Sequence, residues 1–233
     1  ALVVLKEQGI DPESWPKEAA TQDAWGDPAG DTKVEYKSPE GRSVVLKLKT
    51  APDVTNGILD QYELGPYNMM LLGEPSRWRG EFAAFFDAGI VQQVTTLAPC
   101  SVLVVRKGPE KKGYFICTDG TSRSMQAVRR AAVLAHVTGE PITLFSVADT
   151  EQGRGAAEEA VANAKALLKA MTIPVHETKV AVGQAVEEIV ESGALYKIIV
   201  VTDEGRSRFQ RLFRGSTATE VVRKARTSVL DVR

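Results

Sequence analysis

The chain has little reactive chemistry: two cysteines and two histidines in 233 residues. Cys100 and Cys117 each lie in or beside an apolar run, without the spaced partners of a disulfide framework or a metal site. Both read as small core residues of a reducing compartment. His136 and His176 stand alone, and no Ser, Cys or carboxylate joins them in a nucleophile–base pattern. No pair of catalytic carboxylates stands out either, so the sequence assigns no catalytic residue, no metal and no enzymatic activity. An excess of one charge is also missing. Lys and Arg number 29 against 30 Asp and Glu, for a formal net charge of −1. No global field then recruits nucleic acid or an anionic membrane. Trp15, Trp25 and Trp78 come without the aromatic strand motif that stacks bases, so no nucleic-acid partner is expected. No apolar run approaches the roughly 18 residues a membrane span needs, and no signal peptide is visible. What remains is ordinary globular material, 43% hydrophobic and 25% charged, enough for two domains.

What the chain does have is an internal repeat. Ser101-Val-Leu-Val-Val-Arg106 returns as Ser228-Val-Leu-Asp-Val-Arg233, and Tyr67-Asn-Met-Met-Leu-Leu-Gly73 pairs with Tyr196-Lys-Ile-Ile-Val-Val-Thr202. The two pairs are displaced by nearly the same number of residues. A repeat of this size is a duplicated domain rather than a solenoid unit. It divides the chain into a first, partial and degenerate copy over 1–108, a linker at 109–112 and a second copy over 113–233. Ala1 opens the chain without a Met, which fits either a trimmed start or a domain of a longer polypeptide.

The second copy alternates short apolar runs with helical periods. Strands are expected at Tyr114–Thr118, Ile142–Val147, Val175–Val182, Ile198–Val201 and Val229–Val232. Helices are expected from Ser122 or Ser124 to Gly139, and over 154–171, 184–192 and 216–226. Such alternation needs parallel crossovers, hence an α/β fold with mainly parallel sheets flanked by helices. The first copy offers strands at Lys33–Lys37, Ser43–Lys49, Met69–Leu72 and Val102–Val105. Its helices are expected over 54–62, capped by Asp53, and over 81–97. Residues 1–10 read as a helix end closed by Gly9, and the Pro- and Gly-rich stretch 11–31 as a loop. Nothing in the first copy matches the strand and helix at 114–139.

In an open parallel sheet, ligands sit at the carboxyl ends of strands. Two segments of the second copy fall there: Asp119-Gly-Thr-Ser122, and Thr202-Asp-Glu-Gly205 followed nine residues later by Gly215-Ser216-Thr217. Glycines let backbone approach a phosphate, and a helix N-terminus favours an anion. The plainer reading is that these residues only shape turns and caps. This half resembles a universal stress protein domain, whose ATP-binding members carry Gly-x2-Gly-x9-Gly-Ser/Thr. Gly205, Gly215 and Ser216 match that pattern, while Thr202 replaces the first glycine. Glu204 adds a carboxylate that opposes a triphosphate, and Arg206, Arg208, Arg211 and Arg214 carry the opposite charge. The resemblance implies a nucleotide site of Asp119 (for the adenine end), Gly205, Gly215 and Ser216, with ATP or AMP as the ligand if any cofactor is bound. In the first copy Ser76 replaces the equivalent of Gly205, and no phosphate cradle can be argued.

Asn68-Met-Met-Leu-Leu-Gly73-Glu-Pro75-Ser-Arg-Trp78-Arg79 carries a second resemblance. It is similar to the cytoplasmic C-terminal domain of cation–chloride cotransporters, where an Asn opens a strand that ends in Gly, then Pro, then Trp-Arg. Tyr67 and Glu74 depart from that pattern. Those domains are thought to be duplicated stress-protein-like folds, so this resemblance implies two tandem Rossmann-like subdomains. The function it implies is a non-catalytic cytosolic regulatory and dimerisation domain of a membrane cation–chloride cotransporter. Its partners would be a second copy and the transport domain of the same polypeptide. The alternative is a free-standing tandem universal stress protein that binds ATP or AMP in residues 113–233. For the dimer, one of the strands 101–106 and 228–233 is expected at a sheet edge, free to pair. Asp231 stands where the first copy has Val104 and would guard one side against such pairing.

Overall fold

The computed structural model describes residues 17–20, 32–37, 43–48, 52–63, 67–73, 88–202 and 217–233. Two compact units divide at Gln61. The first contains an antiparallel sheet of β1 (Lys17–Ala20), β2 (Thr32–Lys37) and β3 (Ser43–Leu48), in that order. β2 and β3 are the two strands expected from their alternation. β1 corrects the loop expected over 11–31. Lys-Glu-Ala-Ala has weak strand propensity, and pairing with β2, from Lys17 opposite Tyr36 to Ala20 opposite Lys33, makes it a strand. The helix end expected at 1–10 lies outside the described residues. Helix α1 (Val54–Glu63) starts as its sequence predicts, because Asp53 Oδ1 accepts the Asn56 N–H at 2.9 Å.

The second unit is an α/β structure on one seven-stranded sheet. Its strands are β4 (Met69–Gly73), β5 (Ser101–Val105), β6 (Tyr114–Cys117), β7 (Ile142–Ala148), β8 (Glu177–Val182), β9 (Ile198–Thr202) and β10 (Ser228–Val232). They lie in the order β4-β5-β10-β9-β6-β7-β8, parallel except where β10 meets β5. The helices are α2 (Ala88–Leu97), α3 (Ser122–Val137), α4 (Arg154–Ala170), α5 (Ala185–Gly193) and α6 (Thr217–Lys224). The part of the expected helix over 81–87 lies outside the described residues.

Central strands bury both faces, which is why β6 and β9 are uninterrupted apolar runs. Ile116, Leu144, Val200 and Leu230 are closed from solvent against Val128, Ala131 and Ala135 of α3. Each such side chain contributes about 1.5–3 kcal/mol by burial. On the other face Phe115 packs against Phe145 at 4.6 Å and Tyr196 at 4.8 Å between ring centroids. Alanines on α3 and α4 keep these helices close to the sheet.

The sequence repeat reappears as a pseudo-twofold axis inside the sheet. β4 lies on β5 with Met69 opposite Ser101, and β9 lies on β10 with Ile198 opposite Ser228. These are the positions the repeat pairs, so both copies keep one register. β5 and β10 then meet antiparallel with Leu103 facing Leu230, Val104 facing Val229 and Val102 facing Asp231. The axis passes between the two leucines. Reciprocal bonds flank it: Arg106 N donates to Ser228 Oγ at 3.0 Å, and Arg233 N donates to Ser101 Oγ at 3.0 Å. Helices α2 and α6, equivalent in the repeat, touch each other across the same axis.

This corrects the expectation that one of these strands is an edge. β5 and β10 consume each other's edges, and Val104 and Asp231 are both closed from solvent. Asp231 does not guard a free edge. It forms an ion pair with Arg233 at 3.2 Å, and the Arg233 guanidinium also donates to the carbonyls of Thr95, in the last turn of α2, and of Ala98, just past its end. Val104→Asp would therefore break the sheet and says nothing about self-association.

Candidate nucleotide site

Strand order reverses between β6 and β9, the two strands between which chain succession changes direction. At such a switch point the loops leaving adjacent strands diverge and open a crevice beyond the carboxyl ends. Thr118 to Ser124 leave β6 there, and Thr202 ends β9.

The turn after β6 is built from short polar side chains. Asp119 Oδ1 accepts from Thr121 N at 2.9 Å and from Thr121 Oγ1 at 2.7 Å. α3 starts at Ser122, one of the two expected starts, and its N-cap is Thr121, whose Oγ1 accepts the Ser124 N–H at 3.3 Å. Beneath them the buried hydroxyls of Thr118 and Ser124 meet at 3.0 Å, and Gly120 N donates to Thr118 Oγ1 at 3.2 Å. Gly120 has φ +80, and a Cβ there would come within 3.1 Å of Ala160 Cβ. Only glycine both adopts that conformation freely and lets the turn rest on α4.

Asp119 therefore makes the turn its sequence context allows. Burial pushes its carboxyl up, but hydrogen bonds from Ser124, from the Thr121 hydroxyl and from backbone N–H groups outweigh this and hold it below the usual carboxylate value. The first turn of α3 contains no acidic residue, so Asp119 is the anion beside that helix N-terminus. An ionised, exposed carboxylate here can accept from a sugar hydroxyl or an exocyclic amine. It would repel a phosphate placed beside it.

On the β9 side, Thr202 Oγ1 donates to the Val232 carbonyl at 2.8 Å. The residue replacing the first glycine thus ties β9 to β10 with its hydroxyl. Gly205, Gly215, Ser216, Glu204 and the arginines from 206 to 214 lie outside the described residues. Of the four expected nucleotide-site residues, the described structure places Asp119. Thr118 and Ser124 were missed; the run of hydroxyl residues around Asp119-Gly120 was the available signal. Among the described residues, no three of His, Cys, Asp and Glu gather to hold a metal. Cys100 and Cys117 are free thiols, and burial pushes both up in pKa. No described helix is long and apolar enough to cross a membrane.

Known structures share this fold. A universal stress protein from Archaeoglobus fulgidus DSM 4304 superposes with a TM-score of 0.57 at 14% identity, over 77% of this chain and 64% of that one. This chain thus spans under two thirds of that relative. A protein described as a putative universal stress protein from Pseudomonas aeruginosa UCBPP-PA14 superposes at 0.59, with 13% identity over 78% of this chain and 69% of that one. A universal stress protein solved in complex with cAMP is 24% identical over 53% of this chain and 97% of its own, with a TM-score of 0.47. No curated protein matches in sequence. The profile described as "Universal stress protein family" matches residues 115–233. Those residues are just over half of the chain and hold β7 to β10 with nearly all of β6, the strands on both sides of the order reversal. The chain belongs to the universal stress protein family.

Proposed function

We propose that the chain is a regulatory module that binds ATP or AMP in residues 113–233, at the carboxyl ends of β6 and β9. The family is regulatory rather than catalytic, and binding here needs no reacting group. One observation carries the reading: the order reversal brings the ionised Asp119 and the N-terminus of α3 to one crevice. Asp119 would take the ribose or adenine end, and Gly205, Gly215 and Ser216 the phosphates. Residues 67–106 would be the retained half of a second tandem subdomain that completes the sheet without a site of its own. Titration calorimetry of ATP and AMP with Mg²⁺ should give micromolar binding, weakened about tenfold or more by Asp119→Ala, the loss of one charged hydrogen bond. Gly215→Asp should abolish it. No heat at millimolar nucleotide would sink the proposal.

The segment Asn68–Arg79 favours a second reading, a cytosolic regulatory and dimerisation part of a cation–chloride cotransporter. Its partners would be the membrane transport domain and a second copy. A dimer of this chain would have to use a surface other than β5 and β10. β4 is the last strand of the sheet among the described residues, and its Leu71 is 65% exposed. Leu71→Lys should then halve the mass seen by analytical ultracentrifugation at tens of micromolar. A strict monomer before substitution argues against this reading.

A further inference from the structure

The two copies keep one register but not one cover. Leu71 of β4 stands where the second copy has Val200, and Val105 of β5 where it has Val232. Val200 and Val232 are 0% and 4% exposed, closed in the core beneath α3. Leu71 and Val105 are 65% and 42% exposed. Met69 is half-buried, whereas its equivalent Ile198 is buried. A single exposed leucine needs no explanation. Here the exposed side chains share one face of adjacent strands, and each has a buried counterpart in the same molecule.

The difference is the strand–helix unit β6–α3. β9 has β10 on one side and β6, parallel, on the other, with Ile116 opposite Val200. β4, its repeat equivalent, has β5 on one side and no strand on the other among the described residues. The row of N–H and C=O groups that β9 gives to β6 is therefore taken by no described strand on β4. Sheet edges are commonly guarded by charge. β8, at the other end of the sheet, is guarded in this way: it carries Glu177 and Lys179, paired at 3.1 Å. β4 reads Met-Met-Leu-Leu-Gly and has no charged residue. An unguarded edge beside an uncovered apolar face is what β9 would present if β6 and α3 were lifted off.

We infer that β4 and the face of Leu71 and Val105 form an acceptor site for a strand–helix unit of a partner protein, its strand parallel to β4. The pairing of β9 with β6 is the template, and it states the partner's chemistry. The incoming strand is apolar throughout, as Tyr114-Phe-Ile-Cys117 is, because a strand added there has both faces covered. Its third residue lies opposite Leu71. Its helix turns small residues to the sheet, as α3 does with Ala127, Ala131 and Ala135, and closes over Leu71 and Val105. Main-chain bonds along β4 give affinity, and the side chains on the two faces give specificity. This site rests neither on the nucleotide reading nor on the cotransporter reading. A twofold dimer through β4 would pair antiparallel and compete for the same edge.

The probe is a synthetic peptide of residues 111–139, which carries the template strand and helix, with Cys117→Ser, titrated into the whole chain. One peptide should bind per chain, saturably. Leu71→Asp should weaken binding about tenfold or more, since its carboxylate would be covered without a partner. The melting temperature of the free chain should stay unchanged, because Leu71 is exposed. Thr178→Asp at an exposed position of β8 should leave binding unchanged. Leu71→Cys should form a disulfide with the peptide carrying Ile116→Cys, because neighbouring strands lie about 4.7–4.9 Å apart, within disulfide reach. The peptide carrying Phe115→Cys should not cross-link, because that residue points to the other face. No saturable binding, binding indifferent to Leu71→Asp, or equal cross-linking of both peptides overturns the proposal. So does a whole chain that takes no peptide but forms a dimer whose mass Leu71→Asp halves, since the occupant is then a second copy.

Discussion

Arg233→Met should lower the unfolding free energy by about 3–5 kcal/mol, the cost of breaking a buried ion pair by removing one of its members. The Asp231 side chain is 0% exposed and that of Arg233 is 12% exposed. Methionine keeps most of the packing volume but removes the ion pair with Asp231 and the donors to Thr95 and Ala98. The pseudo-twofold provides an internal control. Arg106 is the equivalent residue, and it serves the carbonyls of Val222 and Thr227 in the same way. The repeat equivalent of Asp231 is Val104, so Arg106 has no such carboxylate two residues before it, and Arg106→Met should cost only about 1–3 kcal/mol in lost hydrogen bonds. Asp231→Val, which makes the second copy like the first, should recover much of the stability of the Arg233→Met chain. Urea denaturation of the unaltered chain and the three variants measures all of this. Equal losses at the two arginines, or no recovery in the double variant, would show that the ion pair is not what the site depends on.

How far the sequence reaches differs from element to element, for physical reasons. β4, β5, β9 and β10 were legible because each is a short apolar run, and their common register was legible because the repeat aligns them residue by residue. That β5 and β10 meet each other was not, because an apolar strand does not name its neighbour. Either could have faced solvent, a helix or another molecule. The same gap produced the misreading of Asp231: a charge in a strand usually marks an edge, and here it is buried and paired with Arg233, two residues on. β1 gave no strand signal because its pairing with β2 is set by tertiary contact, not by Lys-Glu-Ala-Ala itself. At the crevice, Asp119 with Gly120 announced a turn, and the structure builds that turn. The hydroxyl pair of Thr118 and Ser124 was not foreseen, because it needs both the end of a strand and the first turn of a helix.

The pseudo-symmetry makes a second strong prediction. A fragment of residues 109–233 should form a dimer through β10, although in the whole chain β10 is a central strand. Cutting away residues 1–108 removes β5 and leaves β10 with an unpaired row of N–H and C=O groups and an uncovered Val229. Such an edge recruits another strand. The partner that fits best is a second β10, because β5 and β10 carry nearly the same sequence. The pseudo-axis between Leu103 and Leu230 then becomes a true one between two Leu230 residues. Arg233 N would reach Ser228 Oγ of the other copy as Arg106 N now reaches Ser228. Asp231 would face Val229 instead of Val102, one apolar neighbour exchanged for another. Ultracentrifugation at about ten times the micromolar range should give twice the fragment mass. Leu230→Cys in the fragment should form an intermolecular disulfide on mild oxidation, since facing residues of an antiparallel pair lie about 4.5–5.5 Å apart at Cα, within disulfide reach. Cys117 offers no competing reaction, because burial keeps its thiol protonated. A monomeric fragment would mean that β5 is held by more than its resemblance to β10. A dimer that does not cross-link at Leu230→Cys would mean that the register, and with it the inherited axis, is not what brings the copies together.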